Sequence, residues 1–197
     1  MVTKATVLDA SKNLAKLALG ESFSHGYPHV VRVLRYARLI ANEVTNVDVL
    51  LLELTVYLHD VGRALGEPHA YYSALIAKAF LEEFNMDSNF LELVANAIEY
   101  HSFSYAKLNK VEPKSVEAMI LSDADKLDAL GVVGFLRAFH HGWEKGRSLE
   151  ETLLHFDEKL FRLKELLHYE CSRKIAEKLE QRMQTILVWL EEEIHTL

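Results

Sequence analysis

Residues 49–62 read Val49-Leu50-Leu51-Leu52-Glu53-Leu54-Thr55-Val56-Tyr57-Leu58-His59-Asp60-Val61-Gly62. The run Val49, Leu50, Leu51, Leu52, Leu54, Val56, Leu58 is apolar nearly all round. A helix with no polar face has nothing to offer water and belongs at the centre of a bundle. Asp48 stands where its side chain can accept from the free N–H groups of a first turn. The pattern predicts a helix over residues 49–61, with Gly62 as its terminator. That helix ends on two polar residues, His59 and Asp60. A histidine at the negative end of a helix dipole is an ordinary cap. An aspartate there is disfavoured, and a nearby cation would account for it.

Outward from this stretch, helical periodicity continues in both directions. Residues 4–18 read as a short amphipathic helix with Val7, Leu8, Leu14 and Leu17 as apolar contacts, ended by Gly20. Residues 19–27 read as a loop. Pro28 suits a first helical turn, and Val30, Val33, Leu34, Ala37 and Ala41 carry a stripe to about residue 44. Glu67-Pro68 starts another helix, with Tyr72, Leu75, Ile76, Ala79 and Phe80 on one face. Residues 88–101 follow, with Phe90, Leu93, Val94, Ala97 and Ile98. Residues 102–112 read as a loop before a helix over roughly 114–130. Gly131 and Gly134 allow a bend or close packing ahead of a helix near 133–145. Residues 148–168 and 170–195 are further helices whose polar faces alternate Glu with Lys and Arg, as a solvated surface does. No stretch reads as a strand. Three prolines and eight glycines in 197 residues leave few turns, and the fold class is all-α.

Composition narrows the function. Half of the residues are hydrophobic and the formal net charge is −7, so the basic footprint that double-stranded nucleic acid requires is missing. A small phosphate ester remains open to an acidic protein if a metal supplies local positive charge. The single Cys171 has no internal disulfide partner, which points to a reducing cytoplasm. No apolar run reaches membrane-spanning length, and the first residues lack a signal-peptide core.

The remaining chemistry-bearing residues each have an ordinary reading. His29 falls in a first helical turn, four residues after His25, where a cap or surface residue is common. His101 continues the stripe of its helix, and His69 shares a face with Tyr72 and Ile76. Either could be a core histidine satisfied by a hydroxyl such as Ser102 or Tyr100. Asp123, Asp125 and Asp128 follow Met119-Ile120-Leu121, and such a cluster is usually a solvated face. Periodicity does not choose between Asp123 and Asp125. Histidines and carboxylates where helices should present Leu or Val need a compensating partner, and one divalent metal can serve several at once.

Four segments in order, His29-Val30-Val31-Arg32-Val33, His59-Asp60, His101 and Asp123-Ala124-Asp125-Lys126-Leu127-Asp128-Ala129, resemble the HD superfamily of metal-dependent phosphohydrolases. The likeness covers roughly residues 22–142, and the chain reads as one HD domain over 1–197 with a C-terminal helical extension over about 146–197. The resemblance implies that His29, His59, Asp60 and Asp125 bind one divalent metal; it is what chooses Asp125 over Asp123. Two nitrogens and two carboxylates suit Mn, Fe, Co, Ni or Zn, and Mg stays open. His69 and His101 sit where binuclear members place extra histidines, so a second metal is conceivable. Gly26 stands where some relatives carry Asp. Arg63 stands where 5′-deoxynucleotidases carry Glu and cyclic-dinucleotide-cleaving relatives carry Lys, which favours a cation contacting substrate phosphate.

The function implied is a metal-dependent phosphohydrolase acting on a nucleotide or similar ester. Asp60 or Asp125 would orient a water. Arg63 and Lys126 would stabilise the phosphoryl oxygens, and His25 or His101 would donate a proton to the leaving group. Arg32 would hold a carboxylate of the site. A nucleotide-binding regulatory module without turnover and a di-iron oxygen-activating centre are the alternatives the same residues allow.

Overall fold

The computed structural model describes residues 3–196; Met1, Val2 and Leu197, which the single-domain reading includes, lie outside the described residues. It is all-α, with ten α-helices and no strand among the described residues. The helices are α1 Lys4–Leu19, α2 Tyr27–Ala41, α3 Val49–Leu58, α4 His69–Glu82, α5 Ser88–His101, α6 Phe103–Asn109, α7 Val116–Asp128, α8 Gly131–Glu144, α9 Leu149–Glu158 and α10 Glu170–Thr196. They fold as two compact units, one through Asp125 and one from Lys126 onward.

In the first unit α3 is central, packing on α1, α2, α4 and α5. Leu51, Leu52, Leu54, Thr55, Val56, Tyr57 and Leu58 are all buried. Burying a leucine side chain contributes about 1.5–3 kcal/mol, so this helix anchors the unit. Asp48 caps it, accepting from the N–H groups of Leu50 and Leu51 at 2.9 and 3.2 Å. The helix stops at Leu58, earlier than residue 61, with His59 as its C-cap. Gly62 is therefore not the terminator. Its φ of −84° is open to any residue. It is small because α4 crosses it: a Cβ there would lie 2.4 Å from the Ser73 nitrogen. Ser73 Oγ in turn accepts from the Gly62 N–H at 2.9 Å, which ties the His59-Asp60 turn to α4.

Two expected faces are corrected. On α4 the buried residues are Ala70, Ser73, Ala74, Ala77 and Leu81, whereas Leu75 is 48 % exposed and Ala79 is also exposed. Tyr72, Ile76 and Phe80 of the expected face are half-buried, and α4 packs chiefly on α5. On α1 the inward line is Val7, Ser11 and Ala15, and Leu17 is 85 % exposed. Within the expected loop 102–112 the chain forms the short α6.

In the second unit α8 packs on α9 and α10. Phe135, Phe139 and Phe156 form a cluster with ring centroids 4.7–5.8 Å apart. Gly131 takes φ +70°, the left-handed region, and starts α8 directly after the α7 corner. The expected helix 148–168 divides into α9 and a 3-10 segment, Leu160–Leu166. Asp128 is not on a solvated face: it is buried and accepts from Arg137 Nη1 at 2.7 Å.

Candidate metal centre

Each of the grouped side chains leaves a helix end or a helix face that is otherwise apolar. His29 is in the first turn of α2, beside buried Val30 and Val33. His59 caps α3, and Asp60 follows it. His69 opens α4, His101 closes α5, and Asp125 lies on α7 between buried Ala124 and Leu127. His29, His59 and Asp60 have no solvent exposure, and His101 is buried as well.

Their nitrogens and oxygens converge. His29 Nε2 lies 3.2 Å from His59 Nε2, 3.3 Å from Asp125 Oδ1 and 3.8 Å from Asp60 Oδ2. His59 Nε2 is 3.6 Å from the same Asp60 oxygen. The other oxygen, Asp60 Oδ1, faces His69 Nε2 at 3.5 Å and His101 Nε2 at 3.7 Å. The four histidine spacings to Asp60 are too long for good hydrogen bonds, and Asp60 Oδ1 is buried with no hydrogen-bond partner among the described residues. The rings form a chain, with centroid separations of 5.3 Å for His29–His59, 5.0 Å for His59–His101 and 5.6 Å for His69–His101.

The ring tautomers follow from the opposite nitrogens. His59 Nδ1 donates to the Val56 carbonyl at 2.7 Å, and His101 Nδ1 donates to the Ile98 carbonyl. His69 Nδ1 donates to Glu67 Oε2 at 3.0 Å. A neutral imidazole that donates through Nδ1 carries its lone pair on Nε2. Three lone pairs therefore face a carboxylate, an arrangement that repels unless a cation lies between them.

The electrostatics agree. Burial depresses the His59 imidazole to about 4, the His101 and His29 rings add to that, and Asp60 opposes it; the ring is neutral at pH 7. Burial also lowers His69. Burial would raise the Asp60 carboxyl, but His59 and Arg63 hold it well below the usual carboxylate range. Arg63 is the dependable part of that pair, since its guanidinium is always charged and its Nε sits 2.6 Å from Asp60 Oδ2. Burial likewise opposes ionisation of Asp125, and the His29 ring keeps it ionised. Among the described residues of the first unit, two groups could each hold a metal ion: His29, His59 and Asp125, and His59, Asp60 and His101.

The other expected residues fall as follows. Arg63 uses Nε on Asp60, and its side chain is 29 % exposed. His25 is half-buried, its ring 6.2 Å from that of His29. Arg32 donates to the Phe23 carbonyl at 3.0 Å and stacks on that ring at 4.8 Å, clamping the loop before α2. Asp123 is buried, and it adds to the burial and the Glu112 charge that raise the Tyr100 hydroxyl above its ordinary value. Lys126 is 6 % exposed, engages polar or charged company, and belongs to the second unit. Sequence reading missed Glu67 and Ser73. The signal for Glu67 was its position two residues before His69.

A model of the HD domain matches residues 26–130. The chain belongs to the HD-domain family. All six residues from His29 to Asp125 that converge here lie inside the matched span. This HD-domain protein is 32 % identical over 179 residues to YpgQ of Bacillus subtilis, covering 88 % of this chain and 86 % of that one. It superposes on the crystal structure of B. subtilis YpgQ in complex with ADP with a TM-score of 0.79 and 25 % identity, over 98 % of this chain and 97 % of that one. It also matches an HD-superfamily hydrolase from Bacillus thuringiensis, with a TM-score of 0.76 and 25 % identity over 99 % of this chain and 100 % of that one. No described helix is long and apolar enough to cross a membrane.

Proposed function

We infer that the protein is a metal-dependent phosphohydrolase acting on a nucleotide or a related small phosphate ester. The observation that supports this most is Asp60: a buried, ionised carboxylate with one oxygen unpartnered and histidine lone pairs aimed at both. Such a donor set fits a divalent cation and little else. His29, His59, Asp60 Oδ2 and Asp125 would hold one ion. Asp60 Oδ1, His69 and His101 would hold a second, with Asp60 as the bridge. The B. subtilis relative crystallised with ADP supports a nucleotide.

A divalent ion bound there would supply Lewis acidity toward a phosphoryl oxygen and lower the pKa of a water. The chain's own residues would do the rest. Asp60 or Asp125, the latter partly open to solvent, would orient the attacking water by accepting its hydrogen bond. Arg63 keeps Nε on Asp60 and has its two terminal nitrogens for phosphate oxygens. Lys126 is assigned the charge that develops on those oxygens in the transition state. His101 presents an acceptor nitrogen and is better suited to hold an ion than to deliver a proton, which leaves His25 for the leaving group.

The test is a phosphate-release screen across nucleotides, sugar phosphates and cyclic dinucleotides with Mn, Fe, Co, Ni, Zn and Mg, run beside elemental analysis. Turnover that depends on a bound metal supports the reading. Nucleotide binding without turnover would move it to a regulatory module.

A further inference from the structure

Of the histidines that present Nε2 to Asp60, three, His59, His69 and His101, each have a partner that holds Nδ1 in place. His59 and His101 end their helices, and each donates Nδ1–H to a main-chain carbonyl three residues back. His69 has no such carbonyl, because it is the first residue of α4 and residues 66–68 behind it are not helical. A side chain takes over there. Glu67 Oε2 accepts from His69 Nδ1 at 3.0 Å, with Oε1 at 3.3 Å. Glu67 Oε2 also lies 3.1 Å from the His69 main-chain N–H and accepts from it. One carboxylate thus ties both the ring and the first turn of α4. The His69 side chain is only 13 % exposed, while Glu67 reaches it from solvent, at 78 %.

We propose that Glu67 is a positioning residue: it fixes His69 as an Nδ1–H donor and so aims the Nε2 lone pair at a cation shared with Asp60 Oδ1 and His101 Nε2. The proposal rests on the bridging reading of Asp60 given under Proposed function. Glu67 touches neither the cation nor substrate, and it acts only through His69. Removing an outer carboxylate of this kind typically weakens metal affinity about 10–100-fold.

The experiment is a Co²⁺ titration of the chelator-stripped full-length protein, followed by visible absorbance and by elemental analysis after dialysis. Wild type is expected to take two equivalents. Glu67→Ala is expected to bind the second equivalent about 10–100-fold more weakly and the first unchanged. Glu67→Gln, whose amide oxygen can still accept from Nδ1–H, should recover most of that loss. Glu67→Lys, which can only donate, should match Glu67→Ala. A mere capping role would lower Tm without moving the second equivalent, so wild-type affinity in Glu67→Ala or Glu67→Lys overturns the proposal and leaves the site reading intact. A wild type that takes one equivalent, unaltered by His69→Ala, overturns the two-ion reading itself and the role of Glu67 with it.

Discussion

Gly62→Ala puts one methyl group where the site's turn meets α4. At φ −84° the backbone tolerates alanine, and freedom lost by the unfolded chain would by itself stabilise the variant by about 0.4–1 kcal/mol. Space decides otherwise. The new Cβ would lie 2.4 Å from the Ser73 nitrogen, 2.7 Å from the Tyr72 carbonyl carbon and 2.8 Å from the Tyr72 Cβ. Carbon contacts are comfortable at about 3.5–4.0 Å, so α4 must retreat by roughly an ångström. Overpacking of this kind costs about 1–3 kcal/mol. The retreat also stretches the buried Gly62 N–H to Ser73 Oγ bond of 2.9 Å, worth about 0.5–1.5 kcal/mol. The net expectation is a loss of about 0.5–4 kcal/mol, read from urea unfolding of the metal-free protein. His69 rides on α4, so Co²⁺ binding should weaken too. A variant as stable as wild type, or more so, would show that the turn and α4 are not held in this contact.

Leu54→Ala, at a fully buried position on α3, should cost about 2–5 kcal/mol in the same unfolding assay. Asp125→Ala should lose metal on dialysis and with it phosphate release, measured by elemental analysis and a phosphate assay. Lys126→Ala should keep its metal yet turn over roughly 100–1,000-fold more slowly, whereas wild-type turnover would remove Lys126 from the phosphate contact. Arg63→Ala should weaken phosphate-ester binding as a rise in KM, and Arg63→Lys should restore only part of it, because Nε pairing with Asp60 needs the guanidinium fork.

How much of this was legible in the sequence depends on what each feature rests on. The central helix was legible because its burial is written in its own residues: seven apolar side chains and no polar face. The span 88–101 matches α5 end to end, since a capping Asp87 opens it and a single amphipathic stripe fills it. The face of α4 was misread in part because large apolar residues draw the eye, while four of its five fully buried residues are the small Ala70, Ser73, Ala74 and Ala77. Close packing rewards small side chains, and periodicity of large ones does not report it. The seven-residue α6 mixes Phe103, Tyr105, Ala106 and Leu108 with Ser104, Lys107 and Asn109, and is too short to carry a stripe to read. Within the site, His29, His59, Asp60, His69 and His101 stood out as polar residues within or at the ends of apolar helices, whereas Asp125 was chosen over Asp123 by the family resemblance alone. Their holders did not. Glu67, Ser73 and the Val56 and Ile98 carbonyls act through tertiary or main-chain contacts, which have no signature in composition. Arg137 is a further case: the Asp cluster reads as a surface until its partner is found two turns into α8.

The most direct test of the central claim is anomalous scattering from a crystal of the Mn²⁺-loaded protein. A peak is expected about 2.0–2.3 Å from His29 Nε2, His59 Nε2, an Asp60 oxygen and an Asp125 oxygen. A fully occupied ion elsewhere, with these four side chains uncoordinated in a well-ordered crystal, would contradict it.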